Sequence, residues 1–161
     1  MTATPPTPHS AEDRLAALGL SLPEAARPVA SYVPTLIVGE QLWISGQVSA
    51  TSDGQTVVGR LGDTLTLDAG QAAARLCALN ILAQAKAALG TLDAIAQVIR
   101  LTGFVNATPD FPDHPKVING ASDLLQSVLG DAGKHTRSAV GVASLPFGFA
   151  VEIDAVLAIR G

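Results

Sequence analysis

The nine residues Val151-Glu152-Ile153-Asp154-Ala155-Val156-Leu157-Ala158-Ile159 alternate with the period of a β-strand. Val151, Ile153, Ala155, Leu157 and Ile159 share one face, and Glu152 and Asp154 open the other. Two carboxylates on an otherwise apolar strand mark the first place to look for chemistry. Just upstream, Arg137 to Leu145 reads as a second strand and Pro146-Phe147-Gly148 as a turn, so the spacing predicts a C-terminal hairpin. Such a hairpin brings Arg137 to the strand beside Glu152. Spacing alone makes the pair first of all a structural ion pair. A fixed guanidinium is equally a fork for a carboxylate ligand, and a carboxylate beside it can orient or deprotonate water.

Two helical stretches precede this hairpin. The first begins at Asp68, with Gln71 placed for a capping box, and ends at Gly90; Ala72, Leu76, Leu79, Ala83 and Ala87 form its apolar stripe. The second starts around Pro115, a favoured first-turn residue, with Asp113 near the cap. Its buried face is Val117, Ala121, Leu124 and Val128, and Gly130 closes it. Between the two helices, Ala96 to Val105 is rich in Val, Ile, Thr and Phe and reads as a strand.

Toward the N-terminus, Val33–Val38 and Leu42–Ser45 form a hairpin around Gly39-Glu40-Gln41, while Thr51 to Leu67 reads as loop with at most one short strand. Glu12 to Gly19 suggests a short helix carrying Leu15 and Leu18. The division that follows is a disordered tail over 1–10, around Pro5, Pro6 and Pro8, an extension with a short helix over 11–28, and one domain over 29–161. The order strand-strand, helix, strand, helix, strand-strand predicts an α+β fold, a sheet with two helices packed on one face. Val140, Val142, Val156 and Ala158 make the second face apolar too, so that face needs a cover of its own, which partner subunits would supply.

Composition narrows the function. The chain has 161 residues, 48% hydrophobic and 15% charged, with a mean hydropathy of +0.36, which suits one folded domain. A net charge of −4 without a Lys/Arg run argues against a nucleic-acid partner. The single Cys77 excludes an intramolecular disulfide and, on an apolar helix, reads as an inert core residue. His9, His114 and His135 are too scattered for a zinc site, so no metal is expected. Nothing resembles an export signal or a membrane span, and a cytoplasmic protein without a membrane partner is expected. No Gly-x-Gly-x-x-Gly, Walker, Cys-x-x-Cys or Gly-x-Ser-x-Gly pattern occurs, so no cofactor is expected.

Tyr32-Val33-Pro34, Trp43-Ile44-Ser45-Gly46-Gln47, Thr136-Arg137-Ser138 and Val151-Glu152-Ile153-Asp154-Ala155-Val156 occur in an order and spacing that resembles the RidA/YjgF family, from about Val29 to Ile159. The length resembles its longer branch. The resemblance implies a chorismate-mutase-like fold, a homotrimer of about 49 kDa from three 16.4 kDa chains, and three clefts at subunit interfaces. It also implies cofactor-free hydrolysis of 2-imino acids and their enamine tautomers to 2-oxo acids and ammonia. Arg137 matches the family arginine that clamps the substrate carboxylate, and Glu152 the glutamate that positions the water. Tyr32 matches a tyrosine contributed by the neighbouring subunit. Ser45, Gly46 and the backbone of Ala139 match positions lining the same cleft, and Asn119 an asparagine on the second helix. Tyr32 and Asn119 serve equally as interface hydrogen-bonding groups, and the Ser45 hydroxyl as a strand terminator. Ala139 stands where short members often carry cysteine, and Leu124-Leu125 where they often carry aromatics. The alternatives are a trimeric module that binds small carboxylates or proteins without turnover, and an endoribonuclease, which the acidic charge disfavours.

Overall fold

The computed structural model describes residues 10–161. Its centre is a five-stranded sheet in the order β1-β2-β5-β3-β4, with β1 Thr35–Val38, β2 Gln41–Val48, β3 Ile95–Asn106, β4 Thr136–Val142 and β5 Val151–Ile159. Every neighbouring pair is antiparallel except β3 and β4. The described residues also form three α-helices, α1 Ala11–Ala17, α2 Leu67–Leu89 and α3 His114–Leu129, besides short 3-10 turns. The mixed sheet and the order of elements agree with the α+β, chorismate-mutase-like expectation.

The expected C-terminal hairpin is not formed. β5 inserts between β2 and β3, and β4 pairs in parallel with β3 on its far side. The eight-residue link from β4 carries β5 back across β3, because β5 can bury both its edges only at the sheet centre. Arg137 is registered against Leu101, and Glu152 against Phe104 and Val48, so a whole strand separates the two. They are not cross-strand neighbours, and no ion pair joins them.

One face of the sheet carries Leu42, Ile44, Val98, Leu101, Val105, Val151, Ile153, Ala155 and Leu157, all buried beneath α2 and α3. Burial of a side chain of this size contributes about 1.5–3 kcal/mol. α2 is capped by Thr66, whose Oγ1 accepts from the Ala69 N–H, and starts at Leu67 rather than at Asp68. Asp68 sits inside the first turn, where it still favours the helix dipole. Gly90 closes α2 in the left-handed conformation. The buried surface of α2 is wider than a single stripe: Ala73, Ala74, Cys77, Ile81 and Ala85 are buried, whereas Ala72 and Ala87 are exposed. α3 buries Val117, Ala121, Leu124 and Val128 as its periodicity predicts. It lies so close to β3 that a Cβ at Gly103 would stand 2.6 Å from Ile118 Cδ1.

α1 is fastened to this body. Ser10, placed with the tail by the sequence reading, caps it through a capping box with Asp13, and Leu15 enters the core while Leu18 stays exposed. Arg14 Nε donates to the Val128 carbonyl at 2.6 Å, and Glu12 accepts from the Leu92 N–H at 2.8 Å. Beyond α1 the chain runs extended along α2, where Gln84 Nε2 donates to the Ala26 carbonyl at 2.7 Å. Residues 51–66 form a loop with isolated bridges, as expected. The opposite face of the sheet has no cover from the described chain: Leu36, Trp43 and Val140 are exposed there.

Candidate functional site

Glu152 owes its position to a defect in the sheet. β2 and β5 slip register between Ile44 and Gln47, so Ser45 and Gly46 form a bulge opposite the acidic end of β5. The Glu152 side chain lies over Gly46, where an added Cβ would stand 2.9 Å from Glu152 Cδ and 3.1 Å from Cγ. The missing side chain at position 46 is therefore the space that the carboxylate occupies. Ser45 Oγ donates to the Val33 carbonyl at 2.8 Å, and the Ser45 N–H donates to the Pro34 carbonyl at 2.9 Å. These two bonds hold the segment that carries Tyr32 against the bulge.

Two hollows meet at this carboxylate. One, of about 260 Å³, is lined by Gly46, Glu152, Tyr32, Phe147 and the extension residues Ala26–Val29. The other, of about 820 Å³, opens over the uncovered sheet face and adds Trp43 and Asp154. Burial, and then the like charge of Asp154, raise the Glu152 carboxyl above the ordinary glutamate value of 4.5. Behind the sheet, Cys77 is fully buried and donates to the Val151 carbonyl at 3.5 Å; burial and the charge of Glu152 push its thiol well above 9.0. A thiol so held is not a nucleophile.

Arg137 belongs to a different place. Its side chain turns toward α3, where Nη1 donates to Ser122 Oγ at 2.9 Å and Nη2 to the Pro115 carbonyl at 3.1 Å. Asn119, His135 and Lys134 line the same open groove of about 410 Å³. Pro115, Asn119 and Ser122 recur at spacings of four and three, so one face of α3 presents them together. Ala139 lies two residues beyond Arg137 on β4, registered against Gly103.

The structure thus gathers Tyr32, Ser45, Gly46 and Glu152 around one hollow and Arg137 and Asn119 around another. Ala139 lies on the edge strand β4. Sequence reasoning missed Phe147, Gln84 and the strap Ala26–Val29. Phe147 has φ of 54°, a left-handed conformation costly for a bulky residue, and is 89% exposed at the mouth of the Glu152 hollow. Only the short Pro146-Phe147-Gly148 link hinted at it. Among the described residues no three His, Cys, Asp or Glu side chains come together as a metal site would require. No helix of the described residues is long and apolar enough to cross a membrane.

Comparison with known proteins gives this arrangement a context. Residues 12–152 match the family model described as "YjgF/chorismate mutase-like, putative endoribonuclease". Protein TCP17 of Trypanosoma cruzi is 50% identical over 141 residues, which cover 87% of this chain and 88% of that protein. The crystal structure of Agrobacterium tumefaciens Atu1372, whose function is unknown, is similar at a TM-score of 0.86 with 49% identity, covering 93% of this chain and 94% of that one. RidA from an Antarctic Psychrobacter is similar at a TM-score of 0.59 with 27% identity, over 84% of this chain and 94% of that one.

Proposed function

Because the chain belongs to the YjgF/chorismate mutase-like family, we propose that it hydrolyses 2-imino acids, and the enamines in equilibrium with them, to 2-oxo acids and ammonia without a cofactor, in clefts between the subunits of a homotrimer. The observation that carries this reading is the placement of Glu152: a half-buried carboxylate of raised proton affinity, fitted over Gly46 at the junction of two hollows and without an ion-pair partner among the described residues. The exposed apolar face beside it, with Trp43 and Leu36, is the kind of surface that a second copy covers. Arg137 of a neighbouring copy then supplies the cation that Glu152 lacks within its own chain.

In the proposed reaction the guanidinium of Arg137 holds the substrate carboxylate and orients the C=N carbon. Ionised Glu152 accepts a proton from water as the oxygen attacks that carbon, giving a tetrahedral carbinolamine. With the imine attacked as its iminium, Glu152 passes that proton to the carbinolamine nitrogen and then takes the hydroxyl proton as the C–N bond breaks, giving the 2-oxo acid and ammonia, which carries the proton away as ammonium. Tyr32 and Asn119 contribute polar groups to the cleft walls, and Ser45, Gly46 and the Ala139 backbone shape it. The acidic net charge lends no electrostatic support to the binding of an RNA backbone.

The test is to generate 2-iminopropanoate with an amino-acid oxidase and measure its loss in competition with semicarbazide. Wild-type protein should outcompete the trap, and a rate equal to buffer across several imino acids sinks the proposal. Gly46→Ala is expected to lower kcat/KM by roughly 10²-fold, because the new methyl displaces the general base from its seat. The melting temperature should fall little, since the clash falls on the movable end of a side chain.

The pH profile carries a second expectation. A base works only when ionised, so the raised Glu152 pKa places the acid limb of kcat/KM above 4.5, with activity falling as pH drops through it. Asp154→Asn removes the like charge that contributes to that rise, and the limb should move to lower pH. A limb unmoved in Asp154→Asn would assign the base to another group.

A further inference from the structure

We infer that Ser122 and His135 are positioning residues for Arg137, locking its guanidinium in the orientation that receives a ligand carboxylate; this rests on the reading of Arg137 as the carboxylate anchor. His135 Nδ1 lies 2.6 Å from the Gly133 carbonyl, which can only accept, so Nδ1 carries the hydrogen. In the neutral ring Nε2 is then a lone pair, and the Ser122 hydroxyl 2.8 Å away donates to it. With its hydrogen committed to His135, Ser122 Oγ turns a lone pair to the Arg137 Nη1–H at 2.9 Å. A main-chain carbonyl thus fixes the polarity of the whole series: Gly133, His135, Ser122, Arg137. The Pro115 carbonyl holds Nη2 independently at 3.1 Å.

Of the five guanidinium N–H groups two are tethered and three, Nε–H among them, stay free for a ligand. An arginine that must stop rotating in order to bind loses side-chain entropy at that moment, and these tethers remove that loss in advance. Ser122 is buried, so its oxygen has no water to replace either partner. Lys134 beside it is paired with Asp131 at 2.8 Å, and Asp123 lines the same groove. Neither carboxylate is bonded to Arg137, which leaves the fork to its hydroxyl and carbonyl partners.

The experiment has two arms on the full chain. The first reads guanidinium rotation of Arg137 by NMR in wild type, Ser122→Ala and His135→Ala, and needs no turnover. Slow Cζ–Nη rotation in wild type, faster in both variants, is expected; equal rates overturn the relay whatever the protein catalyses. The second titrates pyruvate by calorimetry and, if imine hydrolysis is found, measures KM and kcat. Ser122→Ala should weaken pyruvate binding and raise KM about 10-fold with kcat nearly kept. His135→Ala should cost less, and the double variant should match Ser122→Ala alone, because His135 acts only through that hydroxyl. Ser122→Thr, which retains the oxygen, should restore slow rotation. Additive losses overturn the inference, whereas slow rotation in a protein that hydrolyses no imino acid leaves the relay standing and removes the deaminase reading.

Discussion

Co-assembled Arg137→Ala and Glu152→Gln chains are expected to regain about a quarter of the wild-type imine hydrolysis that each variant loses alone. Losing the charge-assisted bond of Arg137 should lower kcat/KM by one to two decades, and losing the general base by roughly 10²–10⁴-fold. Recovery follows from where the two groups lie. β3 stands between β4 and β5, Glu152 opens on the uncovered sheet face, and Arg137 is tied to α3. In the proposed homotrimer each cleft takes one group from each of two neighbours. With equal mixing, half of the neighbours on one side carry an intact Glu152 and half on the other an intact Arg137. Mixed assemblies verified by mass spectrometry yet inactive would place the whole site within one chain.

Gly120→Ala should be among the most damaging single methyl groups for the fold. At that position a Cβ would stand 2.9 Å from the Gln71 carbonyl carbon and 3.0 Å from its Cα, so the obstacle is the main chain of α2. Gln71 Nε2 also donates to the Lys116 carbonyl at 2.9 Å, which fixes the crossing of α2 and α3. Neither helix can retreat without uncovering the sheet. Overpacking of this kind costs about 3 kcal/mol or more, a large share of the ~5–15 kcal/mol that holds a domain. A drop of roughly 6–12 °C in melting temperature is expected, and a shift under about 2 °C would mean that the helices part easily. The contrast with Gly46→Ala is instructive: one glycine serves the contact of two backbones, the other the seat of the Glu152 carboxylate.

The elements were largely legible because their signals are local. The alternation of β5, the periodicity of α3 and the left-handed close at Gly90 all act within a few residues. The pairing of β4 was not legible, since two strands joined by a short turn look like a hairpin whichever neighbour each finally takes. Only burial on both faces and both edges draws β5 to the sheet centre, and that is a property of the whole domain. Thr66 and Asp68 both carry capping oxygens, and the N–H of Ala69 selects the former. The resemblance picked out Glu152, Gly46 and Arg137, but not that Glu152 and Gly46 meet at one hollow while Arg137 lies at another. The bulge that seats Glu152 leaves no trace in composition, and Ser122 and His135 stand apart in sequence, joined only through space. The strap Ala26–Val29 has no periodicity at all, and reaches the hollow because Gln84 and the anchored α1 hold its course.

The insertion of β5 between β2 and β3 also sets an order of assembly during synthesis. β5 follows every other described strand, yet the β1–β2 hairpin and the β3–β4 pair touch no common strand until it arrives. A nascent chain halted before Val151 therefore holds two half-sheets whose inner edges are both unpaired, and such edges invite pairing with other chains. The strand that carries Glu152 is the keystone: the ribosome delivers the proposed general base and the closure of the fold in the same nine residues.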